Sequence, residues 1–224
     1  MIHPMTSSRR LPIFPLPLVL FPRATQALHI FEPRYRQLLS DCLAGSREFG
    51  IICRTPEVAE REIAPGTAGC IARIESTQSL PDGRSNIVVT GDGRFTLDAF
   101  VDDAAPYHVA RVTPFEDHAE PGLEAAPVAQ RLRELFVRVG RAARSLQDDS
   151  TALPDLPESP AELSFAIAHF IDLDLADKQR LLRSRSPRER LQQLDEVLAP
   201  IVESIELRAR VHARAKGNGH GAHG

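Results

Sequence analysis

Hydrophobic residues change their spacing once along this chain. Up to about Thr113 they come in short runs and alternations of strand length, and beyond it they recur every three to four residues. Leu18–Phe21 is a short apolar run that predicts a strand buried on both faces. Ala27–Phe31 predicts a second strand, which ends at Glu32-Pro33. Pro33 can open the helix PRYRQLLSDCLAG, because the first helical position needs no N–H donor, and Gly45 can end it. In that helix Tyr35, Leu38, Leu39 and Cys42 fall on one face. Phe49–Cys53 and Thr67–Ile74 predict further strands, and Leu80-Pro-Asp-Gly-Arg84 predicts a hairpin with Asp82-Gly83 in a type I′ turn. Asn86–Thr90, Arg94–Val101 and Pro106–Val112 complete a set of short strands suited to a small barrel or a sandwich.

After an acidic linker rich in Ala, Pro and Gly (Phe115–Pro127), the pattern is helical. Val128, Leu132, Leu135, Phe136 and Val139 mark an amphipathic helix running to about Leu146, and Asp148–Glu158 is a polar connection. Ser159-Pro-Ala-Glu162 and Ser186-Pro-Arg-Glu189 are capping boxes that open two more helices, the first running to about Asp172. Between them Asp174 can cap a short helix containing Lys178–Leu182. Leu191, Leu194, Leu198, Ile201 and Ile205 stripe the last helix, with a kink expected at Pro200. That stripe predicts packing on a helical bundle or, as the alternative, a weak dimer in place of a monomer. The chain thus reads as an α+β protein, with a β-rich part over 1–118, a helical part over 119–216 and a disordered tail over 217–224.

Composition narrows the function classes. At 224 residues, 42% hydrophobic and 25% charged, the chain is long enough to bury a core without disulfide or metal staples. Its 27 basic and 30 acidic residues are spread evenly over both halves, which argues against nucleic acid as a partner. Cys42, Cys53 and Cys70 form no CxxC pair, and their odd number fits a reducing cytosol. The apolar stretch after Arg9-Arg10 superficially resembles an export signal, but Pro12, Pro15, Pro17 and Pro22 interrupt it and no small-x-small cleavage site follows. No apolar run reaches the roughly 18 residues of a membrane span, so a cytoplasmic protein without membrane contact is expected.

Catalytic and cofactor motifs are absent from the sequence. Gly91-Asp-Gly93-Arg94 precedes a strand where a phosphate site needs a helix, so it predicts a turn or bulge. There is no GxxxxGK[ST] and no GxSxG. The two lysines, Lys178 in a polar stretch and Lys216 in the tail, do not suit a Ser-Lys dyad. No HExxH, paired CxxC or EF-hand pattern occurs, and no metal or other cofactor is expected. His29, His108 and His169 lie in apolar contexts that suit core or hydrogen-bonding roles better than ligation. The densest cluster of unusual residues is His29-Ile-Phe-Glu-Pro-Arg-Tyr35. There Glu32 can accept hydrogen bonds from the free N–H groups of the helix start, and Arg34 or Arg36 can pair with it. A structural corner and a ligand contact both fit this cluster, and the two roles are compatible.

At this cluster a family resemblance emerges. LPIFPLPLVLFP, HIFEPRYRQLLSDCLA, FGII, GTAGCIARI, LPDGRSNIVVTGDGRF, PYHVARV and the helical SPAELSFAIAHFIDLDLADKQRLLRSRSPRERLQQL follow the order of the Lon protease N-terminal domain family. The resemblance covers about residues 11–205. It implies a PUA-like β pseudo-barrel with one inserted helix, followed by a C-terminal helical bundle. It also implies a bacterial, non-enzymatic module that recognises unfolded or degron-bearing polypeptides, alone or beside a separate protease, since the chain stops where ATPase and protease domains would begin. The binding residues it suggests are His29, Phe31, Glu32, Arg34 and Tyr35. Rival readings are an RNA-binding PUA-like protein, on fold analogy, and a small-molecule-binding domain.

Overall fold

The computed structural model describes residues 7–122 and 127–219, with side chains through residue 215. Six strands and five α-helices follow one another as β1 (Arg9–Leu16), β2 (Thr25–Ile30), α1 (Pro33–Ala44), β3 (Glu48–Cys53), β4 (Ala68–Ser79), β5 (Ser85–Val101), β6 (His108–Phe115), α2 (Pro127–Leu146), α3 (Pro160–Phe170), α4 (Leu175–Arg183) and α5 (Pro187–Gly219). The chain divides into two compact units. The first takes everything up to His118 together with Ala168–Arg185, and the second takes Ala119–Ile167 and the chain from Ser186 onward. The fold is α+β.

In the first unit the six strands form one mixed sheet in the order β2-β5-β4-β3-β1-β6, and β6 pairs again with β5. That second pairing closes β5, β4, β3, β1 and β6 into a ring and leaves β2 appended to β5. Closure is possible because β5 is 17 residues long. Its first half pairs with β2, its second half with β6, and β4 runs along both. Only β1–β3 is parallel. Leu11, Ile13, Ile52, Ile71, Phe95, Leu97 and Val112 fill the interior. Helix α1 buries Tyr35, Leu38, Leu39 and Cys42, the face its periodicity predicts.

Three strand details differ from the sequence expectation. The first strand is Arg9–Leu16 and not Leu18–Phe21. Pro12 and Pro15 do not interrupt it, because the β6 ladder covers Arg9–Ile13 and the β3 ladder covers Ile13–Leu16. Each proline thus lies where one flank has no ladder needing its missing N–H. Leu20 and Phe21 are buried nonetheless, in the connection to β2. Second, the two strands expected at Asn86–Thr90 and Arg94–Val101 are one strand, and the Gly91–Arg94 stretch forms the bulge opposite Cys70–Ala72. Gly91 exchanges hydrogen bonds with Ala24 (N–H to O, 2.9 Å) and Arg23 (O from N–H, 2.7 Å), and an added Cβ would meet the Phe21 carbonyl oxygen at 2.1 Å. Third, the β4–β5 turn is centred on Pro81-Asp82, with Gly83 donating to the Leu80 carbonyl at 3.0 Å. Gly83 alone takes a positive φ, of 79°, so the turn is a type I with a following left-handed glycine and not a type I′. Pro81, fixed near −65°, favours that choice.

In the second unit α2 packs against α5 through Leu132, Leu135 and Phe136 on one side and Leu191, Leu194, Leu198 and Val202 on the other. Past Pro200 the buried face runs through Val202 and Ala209, while Ile201 is exposed, because the 3.6-residue turn carries the stripe one position further than 3–4 spacing alone implied. Helix α5 continues through Pro200. The capping serine Ser186 accepts from the Glu189 N–H at 3.1 Å. Helix α5 extends to Gly219, and the rest of the stretch expected to be disordered, 220–224, lies outside the described residues.

Candidate functional site

A cleft of about 220 Å³ opens in the first unit where three pieces of chain converge. The end of β1 contributes an apolar wall of Phe14, Pro15, Leu16 and Pro17. The corner between β2 and α1 contributes His29, Phe31, Glu32, Arg34 and Tyr35, and the chain after β3 contributes Arg54 and Glu60. All five residues singled out from the sequence therefore line one cleft. Local chemistry explains the corner: Pro33 starts α1, and the Glu32 carbonyl accepts from the Tyr35 and Arg36 N–H groups, each at 3.0 Å.

The polar centre of the cleft is an ion network. Both terminal nitrogens of Arg34 donate to Glu60, at 2.6 and 2.8 Å, and its Nε donates to Glu32 at 3.0 Å. Such a forked arginine–carboxylate contact is the strongest common ion-pair geometry. The Tyr35 hydroxyl donates to Glu60 at 3.4 Å, and His108 Nε2 lies 2.7 Å from the same carboxylate. Burial by itself would raise the Glu60 carboxyl, but the hydrogen bonds from Arg34 and His108 outweigh it and hold Glu60 below the usual carboxylate value. Arg34 is held above its ordinary value chiefly by Glu60, and burial pushes Tyr35 well above a free phenol. The Arg34–Glu60 pair at its centre is therefore charged at neutral pH.

Glu32 does not cap the helix with its side chain; its carboxylate turns to Arg34 instead. His29 is exposed and pairs with the Asn86 side chain through Nδ1 at 2.7 Å, with its ring stacked 6.0 Å from Phe31. Phe31 is 58% exposed, whereas Phe14 is buried with its ring 4.0 Å from Tyr35. Sequence reasoning missed Glu60, Arg54 and the Phe14–Pro17 wall as parts of the site. Glu60 lies in the polar stretch PEVAEREIAPG, which carries no periodic signal, and its partner Arg34 is 26 residues away. His108 was read as a hydrogen-bonding residue, but nothing in the sequence pointed to Glu60 as its partner.

Other chemistry is sparse. All three cysteines are free, and burial pushes the Cys42 thiol up to about 12 and raises Cys53 and Cys70 as well, so none is an activated nucleophile. Among the described residues no group of three or more His, Cys, Asp or Glu could hold a metal ion, and no helix is long and apolar enough to cross a membrane.

Residues 10–199 match the family described as the ATP-dependent protease La (LON) substrate-binding domain, which covers most of the chain. The chain belongs to that family. Its relatives include the Lon protease of Heliobacterium modesticaldum, 26% identical over 93% of this chain and 26% of the relative, and Lon protease 2 of Herpetosiphon aurantiacus, 28% identical over 88% and 24%. The chain spans about a quarter of the length of these curated relatives. A Lon N-terminal domain protein from Xanthomonas campestris superposes with a TM-score of 0.60 at 25% identity, covering 83% of this chain and 96% of its own. The N-terminal domain of a Mycobacterium avium complex Lon protease has the same fold, with a TM-score of 0.63 at 20% identity and coverage of 85% and 98%. In this member of the family the cleft is built on the first unit alone.

Proposed function

We propose that this chain is a binding module, without a catalytic step of its own, that captures exposed polypeptide segments, unfolded or degron-bearing, in the cleft between β1 and α1. Membership of a substrate-binding family supports the general role. The observation that carries the cleft assignment is Phe31, a large aromatic held 58% exposed at the rim of an apolar wall, beside an Arg34–Glu60 pair that is locked together. An aromatic left in water beside such a wall is the usual anchor for an apolar side chain. Burial of that side chain contributes about 25 cal/mol per Å², less the cost of ordering the segment. Three buried or half-buried free thiols suit a reducing, cytoplasmic setting. A separate protease downstream is the partner this role calls for.

The test is fluorescence anisotropy of a labelled, permanently unfolded protein titrated with the full chain, beside labelled RNA. Saturable binding to the unfolded protein, weakened at least about tenfold by Phe31→Ala, supports the reading. Binding to RNA alone, or equal affinity for Phe31→Ala, overturns it.

A further inference from the structure

The cleft contains one cation that is held by carbonyls and not by an ion pair. Arg54 follows β3 directly, and its backbone N–H donates to the Leu16 carbonyl at 2.9 Å, which sets it against the apolar wall. Its Nη1 donates to the carbonyls of Val58 at 3.0 Å and Thr55 at 3.4 Å, so the guanidinium is held by one edge. On the opposite edge Nε is buried and meets no acceptor. No carboxylate of the described residues forms an ion pair with Arg54. Glu57, three residues on, takes its hydrogen bonds from its own backbone and from Thr55, and the Arg54 charge acts on it only as a weaker influence without a hydrogen bond. Arg34, the other cation of the cleft, is saturated by Glu60 and Glu32.

A guanidinium fixed by one edge presents the other as a planar fork that matches a carboxylate, and an orphaned buried donor is a cost that such an acceptor removes. The Glu32 and Glu60 carboxylates, both paired with Arg34, repel an anion near them. A ligand anion in the cleft therefore gains only beside Arg54. We infer that Arg54 receives a carboxylate of the bound polypeptide, a chain terminus or an acidic side chain, next to a bulky apolar residue that packs on Phe31 and the Phe14–Pro17 wall. This assignment rests on the polypeptide-binding reading above and names the chemistry that reading leaves open.

The experiment uses the full chain and three fluorescein-labelled peptides. One is a Gly-Ser repeat ending in Ala-Leu-Phe with a free carboxyl group. The second is its C-terminal amide, and the third is an amide with Glu added after Phe. The unfolded protein is titrated in parallel. The free acid is expected to bind at least about tenfold tighter than its amide, and Arg54→Gln to bring the two within about twofold. Arg54→Lys, which keeps the charge but loses the fork, is expected to retain part of the preference. If the amidated Glu peptide matches the free acid, the handle is any carboxylate beside an apolar residue; if it matches the amide, the handle is the chain terminus. Either result supports the assignment. Equal binding of acid and amide to the unaltered chain overturns it without recourse to a variant, and so does an acid preference that survives in a folded Arg54→Gln. In both cases binding of the unfolded protein leaves the broader reading standing. Failure of the unfolded protein to bind overturns both.

Discussion

Each of the two units is assembled from two stretches of chain separated in sequence, and each stitches its stretches together with an arginine withdrawn from solvent. In the sheet unit Arg94, 5% exposed on β5, donates to the carbonyls of Leu182 at 3.0 Å and Ser184 at 2.6 Å, where α4 ends. It also pairs with Asp117 at 2.5 Å and lies over the Phe115 ring. In the helical unit Arg190, fully buried on α5, reaches back to α3, donating to Ser164 Oγ at 2.8 Å and lying 4.0 Å over Phe165. Ser164 passes the contact on by donating to the Ala161 carbonyl at 2.6 Å. The sheet unit thus grips backbone oxygens at a helix C-terminus, where the dipole also favours a cation, while the helical unit adds a serine hydroxyl to a direct contact with the Ala161 carbonyl at 3.4 Å. A buried guanidinium costs much to desolvate, so both joins depend on every donor finding an acceptor. The lesson is that the same residue type closes a join in a sheet and in a helix pair, but only the helical join counts a replaceable hydroxyl among its acceptors.

The largest expected effect comes from removing the stitches. Arg94→Met and Arg190→Met should each cost about 3–5 kcal/mol in denaturant unfolding, since both leave buried partners unsatisfied. Amide exchange should quicken in β4–β6 and α4 for the first and in α3 and α5 for the second. Losses under about 1 kcal/mol would break the comparison. Gly91→Ala should cost about 1–3 kcal/mol or more, because its methyl group meets a backbone oxygen that cannot swing away. Ser164→Ala should cost about 1–3 kcal/mol by leaving the Arg190 Nε without its serine acceptor, with the exchange change confined to the helical unit.

Acid should separate the units next. Glu60 is held below its unfolded value, so its contribution is fully present above about pH 4.3 and is lost as pH falls through the folded value. The helical unit's Arg138–Glu206 pair also holds its carboxylate low, but at an exposed site where water screens it. Melting followed at pH 7 and pH 3.5 should show a loss in β-sheet signal that Glu60→Gln flattens, with little change from Glu206→Gln. The smallest effect on folding is Phe31→Ala, which should shift stability by no more than about 0.5 kcal/mol while weakening polypeptide binding.

Elements that end in local chemistry were legible in the sequence. Pro33 and Gly45 bracket α1, and Asp174 caps α4 by accepting from the Asp177 N–H at 2.7 Å. Ser186 opens α5 in the same way. The five corner residues His29–Tyr35 proved to share a cleft because they are neighbours in sequence. What escaped was set by pairing at a distance. Whether Pro12 and Pro15 interrupt a strand depends on where two partner ladders stop, and neither partner is near in sequence. Glu60 and Arg54 likewise acquire meaning only from Arg34 and Leu16, which fold onto them.

The ring of strands also carries a timetable. The strand β1 leaves a ribosome about a hundred residues ahead of its partner β6, with Arg9 opposite Val112. The ring cannot shut until residues near Phe115 have emerged, and the carbonyls that Arg94 grips arrive only with Leu182 and Ser184. By then α2 and α3 are already out and waiting for α5. Synthesis from the N-terminus therefore completes neither unit before the other has begun, and a nascent chain halted between about residues 150 and 180 exposes apolar faces of both.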